Sequence, residues 1–108
     1  MNRCNPIVVF VTTSSGRESK KISDAVLKDR LAACVNRLPG VSSRYWWKGK
    51  IETGREELLL IKTTRAKLPR LIRRVKALHS YEVPEVVALP IVGGNPGYLS
   101  WIEGSLRK

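Results

Sequence analysis

The sequence predicts an α+β sandwich in which strands and helices follow one another as β-α-β-β-α-β, with a short helix at the C-terminus. Three observations predict it. Runs of β-branched and apolar residues, such as "IVVFVTT" at 7–13, alternate along the chain with segments of helical period. Two strand-like runs flank one tight turn around Gly49, which makes them antiparallel neighbours. The chain has 108 residues and is 43% hydrophobic, which suits one domain spanning 1–108 with one modest core.

Each element has its own signal. The first strand is bounded by Pro6 and by the Ser/Gly stretch that follows it. Ser15 and Glu18 have the spacing of a capping box. They open a helix over 16–31, with Ile22, Val26, Leu27 and Leu31 near one stripe and Lys20, Lys21, Asp24 and Lys28 outward. Residues 32–50 read as a long second strand, bulged near "LPG". Residues 51–64 read as the third, with an apolar run at 58–61. Thr64 is placed to cap a second helix, whose Leu68, Leu71, Ile72, Val75 and Leu78 share a face. Pro69 falls in its first turns, where a missing N–H costs little, and His79 ends it. Residues 85–92 read as a fourth strand, with Pro90 arguing for an edge or a bulge. After "GGNPG", Asn95 caps a short last helix with Pro96 at its first position, and Tyr98, Leu99, Trp101, Ile102 and Leu106 form its apolar side.

This is the ferredoxin-like order. Two right-handed crossovers put both main helices on one face of a four-stranded sheet. The strands are apolar in runs rather than alternating, so the second face needs cover as well. Self-association through the sheet supplies it, and the aromatic "YWW" at 45–47 suits such an interface.

Several classes are excluded or constrained. There is no apolar run near the length of a membrane span, and the five-residue run at 7–11 is too short for a signal-peptide core, so a cytoplasmic protein is expected. Cys4 and Cys34 make neither a disulfide framework nor a CxxC motif; Cys4 is expected at a frayed terminus and Cys34 as a buried small residue. The net charge is +11, and seven bases fall within 62–76 with no acid among them. A chain so charged binds polyanions weakly and non-specifically, which keeps a nucleic-acid module through the second helix as an alternative function.

Motifs of catalysis are missing: no GxSxG, no Walker loop, no GxGxxG, no HExxH and no Cys/His cluster. Thr12, Thr13, Ser42, Ser43 and Ser80 are nucleophiles by chemistry alone, without a partner fixed by spacing. The informative stretch is "HSYEVPEVVALP" at 79–90, which holds the single histidine. Together with the hairpin it offers a cleft of rings, donors and acceptors: Tyr45, Trp46, Glu52, His79, Tyr81, Glu82 and Glu85. Such a cleft is a ligand-site candidate, a small-ligand sensor included, and does not by itself imply a reaction. Glu56 is a further hairpin carboxylate, and a metal site would have to be assembled in space, in a cleft between subunits.

Five blocks carry a resemblance: "LAACVN" at 31–36, "SRYWWKGKIE" at 43–52, "LLLIKTT" at 58–64, "HSYEVPEVVALPI" at 79–91 and "YLSWI" at 98–102. In this order and spacing the chain resembles the CutA divalent-cation tolerance proteins over nearly its whole length. The resemblance implies a homotrimer with the sheets around a threefold axis, a non-enzymatic role in tolerance of divalent cations such as copper, and metal binding. It also implies a copper-ligand set of one cysteine in the first strand and two adjacent histidines at the end of the second helix. Those positions are Val11, Leu78 and His79 here, so only His79 remains as a metal ligand.

Overall fold

The computed structural model describes residues 5–107; Cys4 lies outside them. The elements are β1 (Pro6–Thr13), α1 (Gly16–Lys28), β2 (Cys34–Trp47), β3 (Lys50–Thr64), a 3-10 turn (Arg65–Lys67), α2 (Leu68–Leu78), β4 (Val86–Pro90) and α3 (Pro96–Leu106). The strands form one sheet in the order β2-β3-β1-β4, and every neighbouring pair is antiparallel.

Strand alternation decides what is buried. Val9 and Val11 of β1 and Leu59 and Ile61 of β3 point to one face, where Ile22 and Val26 of α1 and Leu71 and Val75 of α2 meet them. All eight are fully buried. Each contributes about 1.5–3 kcal/mol through loss of apolar surface from water. The opposite face carries Phe10, Leu58 and Leu60, flanked by Leu38 of β2 and Val87 of β4. The short last helix does more than expected. α3 lies against β3 and β1 and buries Ile102 and Leu106 on this second face. It therefore covers part of the face expected to be bare, while Leu38, Val87 and Leu89 stay exposed.

Several boundaries differ from the sequence reading, each for a local reason. α1 stops at Lys28 rather than 31, because Arg30 turns left-handed (φ 58°) and the Arg30 and Leu31 N–H groups bond back to Leu27 and Val26 carbonyls. Those two bonds are the Schellman pattern of helix ends. Leu27 is consequently 40% exposed rather than on the core stripe. Thr64 makes no side-chain cap; the 3-10 turn intervenes and α2 begins at Leu68. β4 is shorter than 85–92, and its last residue, Pro90, sits on the sheet's edge as a residue without an N–H should. The capping of α3 follows expectation: the Asn95 side chain accepts from the Gly97 N–H, and Pro96 is the first helical residue.

The β2–β3 hairpin is the distinctive feature. Lys48 and Gly49 both have positive φ (51° and 79°), the two-residue turn whose twist matches the strands. The register shifts between Leu38 and Val41, where the bulge was expected. β1 pairs β3 only as far as Glu57, so residues 41–47 and 50–56 project beyond the sheet as a two-stranded arm. The molecule is accordingly elongated, at 47 × 26 × 23 Å.

Candidate functional site

The root of the arm and the loop before β4 enclose an open cavity of about 640 Å³. The hairpin contributes Ser43, Arg44, Tyr45, Trp47 and Glu56, β1 contributes Thr12, and the loop over 79–85 contributes Tyr81, Glu82, Val83 and Glu85. The turn fixes the hairpin's share. Pairing Trp47 with Lys50 places Val41, Ser43 and Tyr45 opposite Glu56, Gly54 and Glu52, so these side chains share a face. Tyr45 then lies across Gly54, where a Cβ would stand 3.3 Å from the phenol oxygen. A side chain there would push the ring out of the cavity wall.

The loop is held to the body of the protein at several points. The His79 side chain is fully buried. Its Nε2 lies 2.7 Å from the Thr12 carbonyl and its Nδ1 accepts from the Tyr81 N–H at 3.0 Å. A carbonyl can only accept and an amide can only donate, so the ring is the Nε2–H tautomer with both nitrogens engaged. The Glu18 carboxylate accepts from the Ser80 N–H at 2.6 Å, the Ser14 N–H at 2.9 Å and the Ser14 hydroxyl at 3.0 Å. Burial would raise its pKa, but the hydrogen bonds from Ser14 and Ser80 outweigh burial and hold the carboxyl below its ordinary value. The Ser15 side chain meanwhile accepts from the Glu18 N–H, which is half of the expected capping box; the other half goes to Ser14 and to the loop. Finally the Tyr81 phenol donates to Glu56 at 2.7 Å. Burial first, then Glu56, pushes the phenol well above its usual pKa, so it remains a donor.

The structure brings Tyr45, Tyr81, Glu82 and Glu85 into one cavity wall. It places three other named residues outside that wall. Trp46 points to the opposite face of the arm and is 72% exposed; Trp47 takes its place. Glu52 pairs directly with Tyr45 and shares its face, yet it is not part of the cavity lining. His79 braces the loop from inside, with both ring nitrogens hydrogen-bonded within the protein. Val11, at the expected cysteine position, is fully buried beneath the helices. Among the described residues no three His, Cys, Asp or Glu side chains converge as a metal cage. Two of the hydroxyl candidates are tied into the fold: Thr13 is buried against Ser19 at 2.6 Å, and Ser80 faces Ser14 at 3.3 Å, whereas Thr12 and Ser43 line the cavity. Sequence reasoning missed the cavity roles of Arg44, Trp47, Glu56 and Val83 and the bracing role of Glu18. The hairpin register, readable from the Lys48–Gly49 turn, was the signal for Trp47 and Glu56. Nothing local signals the reach of Glu18 to Ser80.

Comparison with known proteins agrees over most of the chain. Residues 7–105 match the CutA1 divalent ion tolerance protein family. The chain is 50% identical over 102 residues to Protein CutA 1, chloroplastic, of Oryza sativa subsp. japonica, covering 94% of this chain and 58% of that protein. It is 50% identical over 96 residues to the divalent-cation tolerance protein CutA of Thermus thermophilus, covering 89% of this chain and 93% of that one. It thus spans little more than half the length of the rice relative and nearly all of the bacterial one. The crystal structure of CutA1 from Oryza sativa superposes with a TM-score of 0.93 at 49% identity, covering 96% of this chain and 95% of that one. With the same fold, the matching blocks and this span of identity, the chain belongs to the CutA1 divalent ion tolerance protein family.

Proposed function

We propose that this chain acts in tolerance of divalent cations, copper among them, as a non-enzymatic homotrimeric binding protein whose ligand site is the cleft beside Tyr81. The family match over residues 7–105 carries the role. The element order and the strand order β2-β3-β1-β4 support reading residues 1–108 as one ferredoxin-like domain. The projecting arm supports the trimer. A two-stranded ribbon is marginal alone, and this one exposes Trp46 and Ile51 on the face away from the cleft, by 72% and 53%. Packed against neighbouring copies, those side chains leave water, and the exposed Leu38, Val87 and Leu89 of the sheet add to the same demand. A free, partly buried Cys34 fits a reducing compartment such as the cytoplasm.

The cleft, rather than His79, is the place for a ligand. A metal held there would take the hard carboxylates Glu56, Glu82 or Glu85, weakly unless another copy completes the set. The test is growth. Cells of the source organism lacking the gene should become more sensitive to graded Cu(II), and the wild-type gene should restore them. A gene encoding Tyr81→Phe with Glu82→Gln should not. Identical growth of all strains would overturn the reading.

A further inference from the structure

We propose that the cleft is built for a small organic cation, an ammonium group carried on an apolar body. The proposal rests on the reading of this cleft as a ligand site and adds the chemical class. The first argument is shape. A cavity of about 640 Å³ lies within the range of small-molecule sites, and it is far larger than one hydrated ion needs.

The second is the sign of its charge. The protein carries +11 overall, yet this cavity is lined by Glu56, Glu82 and Glu85 against one base, Arg44. Among the described residues, Glu82, Glu85 and Arg44 enter no ion pair. One Glu56 oxygen accepts from the Tyr81 hydroxyl at 2.7 Å, which fixes that side chain in the cavity wall. The third is the wall. Tyr45, Trp47 and Tyr81 present aromatic surface, whose faces attract an organic cation and whose rings pack an apolar body. An anion meets three carboxylates. A bare divalent ion meets carboxylates that do not converge. An organic ammonium satisfies both features at once, because its charge need not be caged and its carbon skeleton covers the rings. The hydrogen bonds of His79, Glu18 and Tyr81 hold the loop wall in place before the ligand arrives, which lowers the ordering cost of binding.

The experiment uses three probes of one shape on the full protein: 2-phenylethylammonium, neutral 2-phenylethanol and anionic phenylacetate. Calorimetry and tryptophan fluorescence follow each. The ammonium should bind saturably, one per chain, and at least about tenfold more tightly than the other two, the scale of a cation over aromatic faces with carboxylates nearby. Glu82→Gln with Glu85→Gln should remove most of that preference and leave the weak affinity for the alcohol unchanged. Both residues are exposed, so the variant is expected to fold, and its thermal unfolding should match the parent. Glu103→Gln, an exposed carboxylate on α3, should change nothing. Equal or tighter binding of the alcohol or of phenylacetate would overturn the cationic class and leave the cleft standing as a ligand site. Absence of saturable binding by all three at about 10 mM would overturn the proposal and the cleft reading together. A preference surviving the double substitution would place the cation elsewhere and overturn it too.

Discussion

Glu18→Ala is expected to loosen the cleft without touching any cavity-lining side chain. The Glu18 carboxylate is 9% exposed and receives three hydrogen bonds, two of them from the backbone N–H groups of Ser14 and Ser80. Hydrogen bonds to a charged acceptor contribute about 1.5–3 kcal/mol each when nothing replaces them. Ser14 and Ser80 are themselves exposed, so water recovers part of the loss. The net destabilisation should be about 2–4 kcal/mol for Ala, and about half of that for Gln, which retains one acceptor. Urea unfolding at one fixed chain concentration measures it, since any association makes apparent stability depend on concentration. Acidification gives a second handle. The folded pKa of Glu18 lies below its ordinary value of 4.5, so its contribution is complete above that value and fades as pH falls through the lower folded one. The gap between wild type and Glu18→Gln should therefore narrow below pH 4.5. A cost under about 0.5 kcal/mol for Ala, within the noise of an ordinary surface change, would refute the bracing argument. So would a gap that widens in acid.

Three further outcomes follow from other parts of the fold. Glu57 is held at a pKa of about 2, chiefly by its hydrogen bond from Arg37 at 2.6 Å, so this pair should stabilise fully above pH 4.5 and be lost towards pH 2. In Arg37→Ala, carbon-detected NMR should find the Glu57 carboxyl moved back up; an unmoved value would rule the pair out as the cause. Leu59→Ala empties a fully buried position between the sheet and both helices and should cost about 2–5 kcal/mol in chemical denaturation. The exposed bases Arg70, Arg73 and Lys76 of α2 should bind random RNA weakly, and raising salt from about 50 to about 300 mM should abolish most of it. Salt-insensitive, sequence-selective binding would favour a nucleic-acid function instead.

How much the sequence disclosed depended on the range of the interaction. Element order, the bulge near Pro39, the Gly49 turn and the Asn95 cap are local, and each was readable from a few adjacent residues. The end of α1 was not, because nothing at Arg30 announces a left-handed residue where glycine is usual. The part played by α3 was missed because periodicity shows that a helix has an apolar side, not which surface that side will cover. For the site, the aromatic and acidic blocks were found as sequence, but their faces were not. Trp46 and Trp47 are equivalent in composition and opposite in direction, and only the register separates them. His79 shows the same limit. A lone histidine beside carboxylates reads as a ligand until the Thr12 carbonyl, 67 positions away in sequence, is seen at its Nε2.

In the proposed function, His79 braces the loop and the cleft takes the ligand. The most direct test is the imidazole nitrogen spectrum of His79, recorded while Cu(II) is titrated into uniformly labelled protein. The prediction is the Nε2–H tautomer throughout, with paramagnetic broadening beginning at Tyr81, Glu82 and Glu85 and reaching His79 only with them or later. A His79 signal that changes tautomer, or vanishes first at stoichiometric copper, would make it the ligand and contradict the account.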